Sequence, residues 1–183
     1  EDLLEMSRFD AGVMHLDLDE VLLSQFVGHA VRTAGFTTPV LLDEGVVVDD
    51  ELGDVVTALD KRRIARVLAN LLTNADKYGD GPTAVHVDAD AEHVRIMVDD
   101  DGEGVPEEDR GRIFERFNRA GQASRRGTGT GVGLGLALVD EHVRLHGGRV
   151  SVVDAPDGGA RFVVELPRVE LHPADDHGTG GPE

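Results

Sequence analysis

The sequence predicts an α+β sandwich in which one mixed sheet packs on a layer of helices. Two observations lead there. Val-rich segments that alternate apolar and polar residues come in pairs joined by short turns, as in "TAVHVDAD" with "EHVRIMVDDD" and "GRVSVVD" with "ARFVVELP". Helical stripes are gathered between these pairs instead of alternating one for one with strands, so a doubly wound parallel sheet does not fit.

At the N-terminus, Leu3, Leu4, Met6 and Phe9 follow a helical pattern that Gly12 stops. The pattern opens in mid-course, and the chain reads as a piece of a longer protein. From Leu18 to Ala34, the residues Val21, Leu22, Phe26, Val27, Ala30, Val31 and Ala34 form a second helical stripe, closed by Gly35. The segments "PVLLDEG", "VVVDD" and "DVVTAL" read as short strands between turn formers. Asp60 is placed to cap the strongest helix, "KRRIARVLANLLTNADKYG". "PEEDRGRIFERF" opens with proline and acids, both signals of a helix start. A glycine-rich stretch then leads into a helix reaching about His146, and "PDGG" joins the last two strands. The polar "HPADDHGTGGPE" predicts a disordered tail. The domain plan is a helix tail and linker over 1–15, one domain over 16–168 and the tail over 169–183.

Composition removes several function classes. Asp+Glu 36 against Lys+Arg 18 gives a net charge of -18, a surface that repels phosphate backbones and anionic lipid alike. Nucleic acid is therefore not an expected partner. The absence of cysteine excludes disulfides, thiolate metal sites and a cysteine nucleophile. No apolar run approaches the roughly 18–20 residues that cross a bilayer, so no membrane contact is expected of this chain.

Four features carry chemistry. In "GTGTGVGLGLALV", residues 127–139, five of thirteen residues are glycine just before an apolar helix. Glycine costs about 1 kcal/mol per residue against alanine in a helix, so this density points either to close approach of a ligand or to a flexible loop with a tight helix–sheet contact. The spacing matches neither a P-loop nor G-x-G-x-x-G, which leaves a loop leading to helix amides that can face an anion. On the strong helix, Ile64, Val67, Leu68, Leu71, Leu72 and Ala75 make an apolar face, while Arg66, Asn70, Asn74 and Lys77 mark another. Asparagine carbonyls suit Mg²⁺, and Lys77 is one of only two lysines in the chain.

In "IMVDDDGEGVP", strand alternation puts Asp100 on the apolar face with Val94, Ile96 and Val98, and puts Asp99 and Asp101 on the other. An inward carboxylate must be satisfied or matched to a ligand donor, and Gly102 with Gly104 leaves room beside it. In "IFERFNR", Phe114 and Phe117 are three apart beside Arg116 and Arg119. His142 and His146, at i and i+4, lack the Glu of H-E-x-x-H and do not read as a metal pair.

The order of these motifs is more specific than any of them alone. "NLLTNADKY", "DDGEG", "FERF" and "GVGLGLALV" resemble the N, G1, F and G2 boxes of the catalytic ATP-binding domain of bacterial sensor histidine kinases. That family shares an ATPase superfamily with type II topoisomerases and heat-shock chaperones. The resemblance covers about Leu16 to Pro167 and implies a Bergerat-type sandwich with a flexible ATP lid. "LLEMSRFDAG" resembles the tail of the dimerisation helix preceding such domains.

The resemblance implies roles for individual residues. Asn74 would hold the Mg²⁺ that bridges the ATP phosphates, with Asn70 nearby, and Lys77 would reach the phosphates. Tyr78 would pack on adenine and Asp100 would accept its amine, with Gly102 and Gly104 admitting the base. Phe114 and Phe117 would anchor the lid, and Arg119 would approach the terminal phosphate. Gly131, Gly133, Leu134 and Gly135 would close over the triphosphate. Two departures from the family pattern are Arg66, where many relatives carry Glu or Gln, and Asn118, where an aromatic is common.

The implied reaction moves the ATP γ-phosphoryl group to a histidine on a dimerisation domain, which in turn serves a response regulator. None of the eight histidines has the expected acceptor motif, so the chain is expected to bind ATP without phosphorylating itself and to be a monomer. The resemblance places it as the cytoplasmic part of a bacterial plasma-membrane sensor. Two alternatives are an anti-sigma-factor serine kinase of the same superfamily and a catalytically silent nucleotide-binding module.

Overall fold

The computed structural model describes residues 2–43, 55–118 and 133–169. Its elements in chain order are α1 Asp2–Asp10, β1 Asp19–Leu22, α2 Leu23–Thr33, β2 Val40–Leu42, β3 Val56–Leu59, α3 Lys61–Tyr78, β4 Pro82–Ala89, β5 His93–Asp100, α4 Gly135–Leu145, β6 Arg149–Asp154 and β7 Ala160–Pro167.

Five strands form a mixed sheet in the order β2-β4-β5-β7-β6, parallel only between β2 and β4. β1 and β3 make a separate antiparallel pair. One face of the main sheet carries Val85, Val87, Val94, Ile96, Val98, Phe162 and Val164, which pack with α2, α3 and α4 in the main core. The other face is bound by charge across strands. Arg95 pairs with Asp88 and Glu165, Glu165 with Arg149, and Asp99 with Arg161. The expected α+β sandwich is present.

α3 forms where the sequence says it should. Asp60 Oδ1 accepts from the N–H groups of Arg62 and Arg63 at 3.1 and 3.2 Å, satisfying two otherwise orphaned donors. All six residues of the apolar face are buried. Burial of Asp60 opposes its ionisation, but the backbone N–H groups of Asp17 and Arg63 and the Arg63 guanidinium outweigh it and hold the carboxyl below its usual range. His146 completes this junction: its Nε2 accepts from Asp60 N–H at 3.1 Å, and Nδ1 is 2.8 Å from the His142 carbonyl, which fixes the tautomer as Nδ1–H.

Two expected helices are corrected. Residues 19–22 are strand, not the first turn of the 18–34 helix, because they pair with β3 almost forty residues later, a non-local partner that a helical period cannot reveal. "PEEDRGRIFERF" holds only one 3₁₀ turn at Glu107–Asp109, followed by turns. Gly111 interrupts it, and the segment's hydrogen bonds are local turn closures such as Arg112 N–H to the Asp109 carbonyl. The "VVVDD" strand and the residues 170–183 of the tail lie outside the described residues.

Candidate functional site

The polar edge of α3 and the start of α4 enclose a cleft of about 170 Å³. Asn70, Asn74, Lys77 and Tyr78 line it from α3, and Gly133, Leu134 and Gly135 line it from the opposite side. Helical spacing places the α3 side chains on one edge, and the apolar face of that helix fixes where the edge points. Asn70 Nδ2 is buried there with no hydrogen-bond partner among the described residues. Such a group costs about 1–3 kcal/mol unless something supplies an acceptor.

Asp100 ends β5 at 5% exposure, against the last residues of α3. Its Oδ1 accepts from Gly102 N–H at 3.0 Å and Ala160 N–H at 2.9 Å. Gly79, which follows Tyr78, has no room for a Cβ beside that carboxyl, and a Cβ on Gly159 would overlap the Asp100 carbonyl oxygen. The strand parity read from sequence is correct, since Val94, Ile96 and Val98 lie in the core. Asp99 points to the other face, where both its oxygens bind Arg161 at 2.7 Å and His86 Nε2 lies 3.4 Å away.

Asp100, Gly102, Gly104, Phe114 and Phe117 are outside the lining of the α3–α4 cleft. Phe114 packs on the core, edge-on to Phe162 with ring centroids 6.4 Å apart. Phe117 is 61% exposed, with φ at +60°, a conformation that disfavours a side chain. Its N–H donates to the Gly133 carbonyl at 3.1 Å, and Gly133, with φ at +75°, is pressed against the Phe117 backbone where a Cβ would crowd. Arg119 and Gly131 lie outside the described residues, as does the rest of the expected lid between 119 and 132.

The family of histidine kinase-, DNA gyrase B- and HSP90-like ATPases matches residues 59–170. The chain belongs to this ATPase family. Signal transduction histidine-protein kinase AfsQ2 of Streptomyces coelicolor is 39% identical over 100% of this chain and 32% of its own length. Sensor histidine kinase MtrB of Mycobacterium leprae is 37% identical over 93% of this chain and 30% of its own. The chain thus spans about a third of the length of these curated relatives. The ATP binding domain of PrrB from Mycobacterium tuberculosis superposes with a TM-score of 0.60 at 30% identity, over 84% of this chain and 99% of that one. Full-length ShkA, solved in complex with AMPPNP, gives a TM-score of 0.69 at 26% identity, over 93% of this chain and 35% of that one.

This ATPase-family cleft has lining residues that sequence reasoning missed, Asp2, Thr73, Ile113 and Leu136, and it also includes Asn118, which the sequence marks as a departure from the family pattern. Thr73 was accessible as the neighbour of Asn74, but Asp2 carries no local signal, because α1 reaches the cleft only through tertiary packing. Behind the cleft, His142 is fully buried in α4, and neither of its nitrogens has a hydrogen-bond partner among the described residues. Its Nε2 is 3.2 Å from Glu5 Oε1 without hydrogen-bond geometry, and Phe9 meets its ring edge-on at 5.0 Å. Burial first, then the charges of Arg63 and Arg66, push its pKa down to about 4. Among the described residues no cluster of three His, Asp or Glu can hold a metal, and no helix is long and apolar enough to cross a membrane.

Proposed function

We propose that this domain binds ATP with Mg²⁺ and presents the γ-phosphate to a histidine on a dimerisation domain outside this chain. The observation that carries the reading is the convergence of Asn70, Asn74, Lys77 and Tyr78 with Gly133–Gly135 in one cleft, one residue along the chain from the Asp100 junction. The donor set suits the ligand: asparagine carbonyls are hard oxygens, Lys77 is a cation, and the orphaned Asn70 amide wants an acceptor.

Each residue has a physical task. Asp100 accepts the adenine amine, with its carboxylate held in place by two backbone N–H groups. Tyr78 packs on the base. Lys77 offsets phosphate charge, Asn74 would hold the cation with Asn70 beside it, and the first amides of α4 face the phosphates. Bound Mg²⁺ would neutralise charge on the phosphate oxygens. A histidine nitrogen of the acceptor domain forms the new P–N bond while the bond from the γ-phosphorus to the bridging oxygen breaks and ADP leaves. The domain contributes positioning and charge, not covalent chemistry. Gly102 and Gly104 are proposed to admit the adenine, Phe114 and Phe117 to anchor the lid, Arg119 to approach the terminal phosphate and Gly131 to close over the triphosphate.

The parent protein is proposed to be a membrane-anchored sensor with this domain in the cytoplasm, passing its phosphoryl group onward to a response regulator. The chain alone is proposed to be monomeric and unable to phosphorylate itself. Calorimetric titration with ATP and GTP, with and without Mg²⁺, followed by a transfer assay with a supplied acceptor domain, tests the reading. ATP-selective binding with transfer is the expected result. ATP binding without transfer leaves a silent nucleotide module, and no binding removes the nucleotide site.

A further inference from the structure

Asp2 opens α1, yet it lines the same cleft as Asn70, Asn74 and Lys77. Its Oδ1 accepts from Arg66 Nη2 at 2.7 Å, and Glu5 Oε2 lies 2.9 Å from the same nitrogen. Arg66 precedes Asn70 by one turn of α3 and lines the neighbouring pocket with Glu5; its guanidinium is held by two carboxylates of α1, of which Asp2 also lines the cleft. The helix is kept there by Met6 and Phe9, which pack on Leu134, Ala137 and Leu138 in a second apolar cluster. Leu134 also lines the cleft. At the other end of α1, Arg116 binds both oxygens of Asp10, at 2.9 and 2.7 Å, and reaches Glu141 at 3.0 Å.

This geometry changes the charge of the cleft according to where α1 lies. With α1 docked, Asp2 and Glu5 more than cancel Arg66, and Lys77 is the one cation among the described residues that line the cleft. With α1 removed, Arg66 and Lys77 face the cleft without the two carboxylates.

We propose that Asp2 and Glu5, acting through Arg66, set the specificity of the cleft for phosphate charge: docked α1 disfavours a ligand in proportion to its number of phosphates. The inference rests on the nucleotide reading above. Linkage makes the effect reciprocal, so a nucleoside triphosphate loosens α1 more than a diphosphate does. Asp2 and Glu5 are positioning groups, and neither is assigned to the reacting atoms.

The test is titration of the 183-residue chain and its Asp2→Asn/Glu5→Gln variant with ATP, ADP and adenosine, at low and high salt. Removing two negative charges at this range should raise ATP affinity about tenfold at low salt, ADP affinity about threefold and adenosine affinity not at all, with the gains shrinking in high salt. An equal change for all three ligands would mean a steric effect and overturn the inference. So would a loss of ATP affinity, which would make Asp2 a cation ligand. Unchanged ATP binding in the variant removes this inference and leaves the nucleotide site standing. Failure of both proteins to bind any of the three removes the nucleotide reading and this inference with it.

Discussion

The two ends of the site are built differently. At the β5 end, Asp100 is gripped by the amides of Gly102 and Ala160 and walled by Gly79 and Gly159, while its neighbour Asp99 is tied to Arg161 on the opposite face. At the α1 end, Asn70 Nδ2 and both His142 nitrogens are buried without a hydrogen-bond partner among the described residues, and part of the cleft wall is borrowed from a separate helix. The first end is preorganised to read one group. The second is polar, incompletely satisfied and dependent on what docks against it, which is where a ligand or a moving helix gains most.

The sharpest way to break that contrast is to exchange the roles of the two aspartates. Asp100→Asn keeps an oxygen for the Gly102 and Ala160 amides but turns the other carboxylate oxygen into a donor at the proposed adenine contact. ATP affinity should fall about 100-fold with the melting temperature nearly unchanged, since a lost charged acceptor is worth about 1.5–3 kcal/mol and a donor–donor clash adds to it. Calorimetry paired with thermal melts measures both. If Asp99→Asn costs the affinity instead, the adenine contact belongs to Asp99 and not to Asp100.

The unsatisfied end makes a pH prediction. The pKa of His142 is lowered from 6.5 to about 4, so the folded state binds its proton less well than the unfolded state does. Stability from this group is complete above about pH 6.5 and drains away as pH falls towards 4, by on the order of 2–3 kcal/mol. Urea melts across that window should show the loss, and His142→Phe, which keeps the edge contact with Phe9, should flatten it. A wild-type profile without that slope would mean that His142 finds a partner after all.

How much of this was legible beforehand follows the same division. The α3 stripe, the Asp60 cap and the inward Asp100 all depend on local period and parity, and each stands where the sequence put it. Strand β1 reads as helix in the sequence because Val21 and Leu22 fit either period until β3 is there to pair with them. The turn region around Gly111 was read as helix because proline and acids mark a start without guaranteeing a continuation. Asp2 in the cleft was invisible, because only the packing of Met6 on Leu134 and Leu138 brings it there.

A smaller effect sharpens the open end directly. Asn74→Ala removes one proposed cation-holding oxygen from a helix position whose backbone is already secured by the buried face of α3. Mg²⁺ keeps most of its ligands as water and phosphate oxygens, so the loss should be near tenfold in ATP affinity with Mg²⁺ and close to nothing without it. Titration with and without the cation separates these cases. A drop of equal size in both would assign Asn74 to the nucleotide itself, and the open end would then be reading the ligand as directly as the closed one.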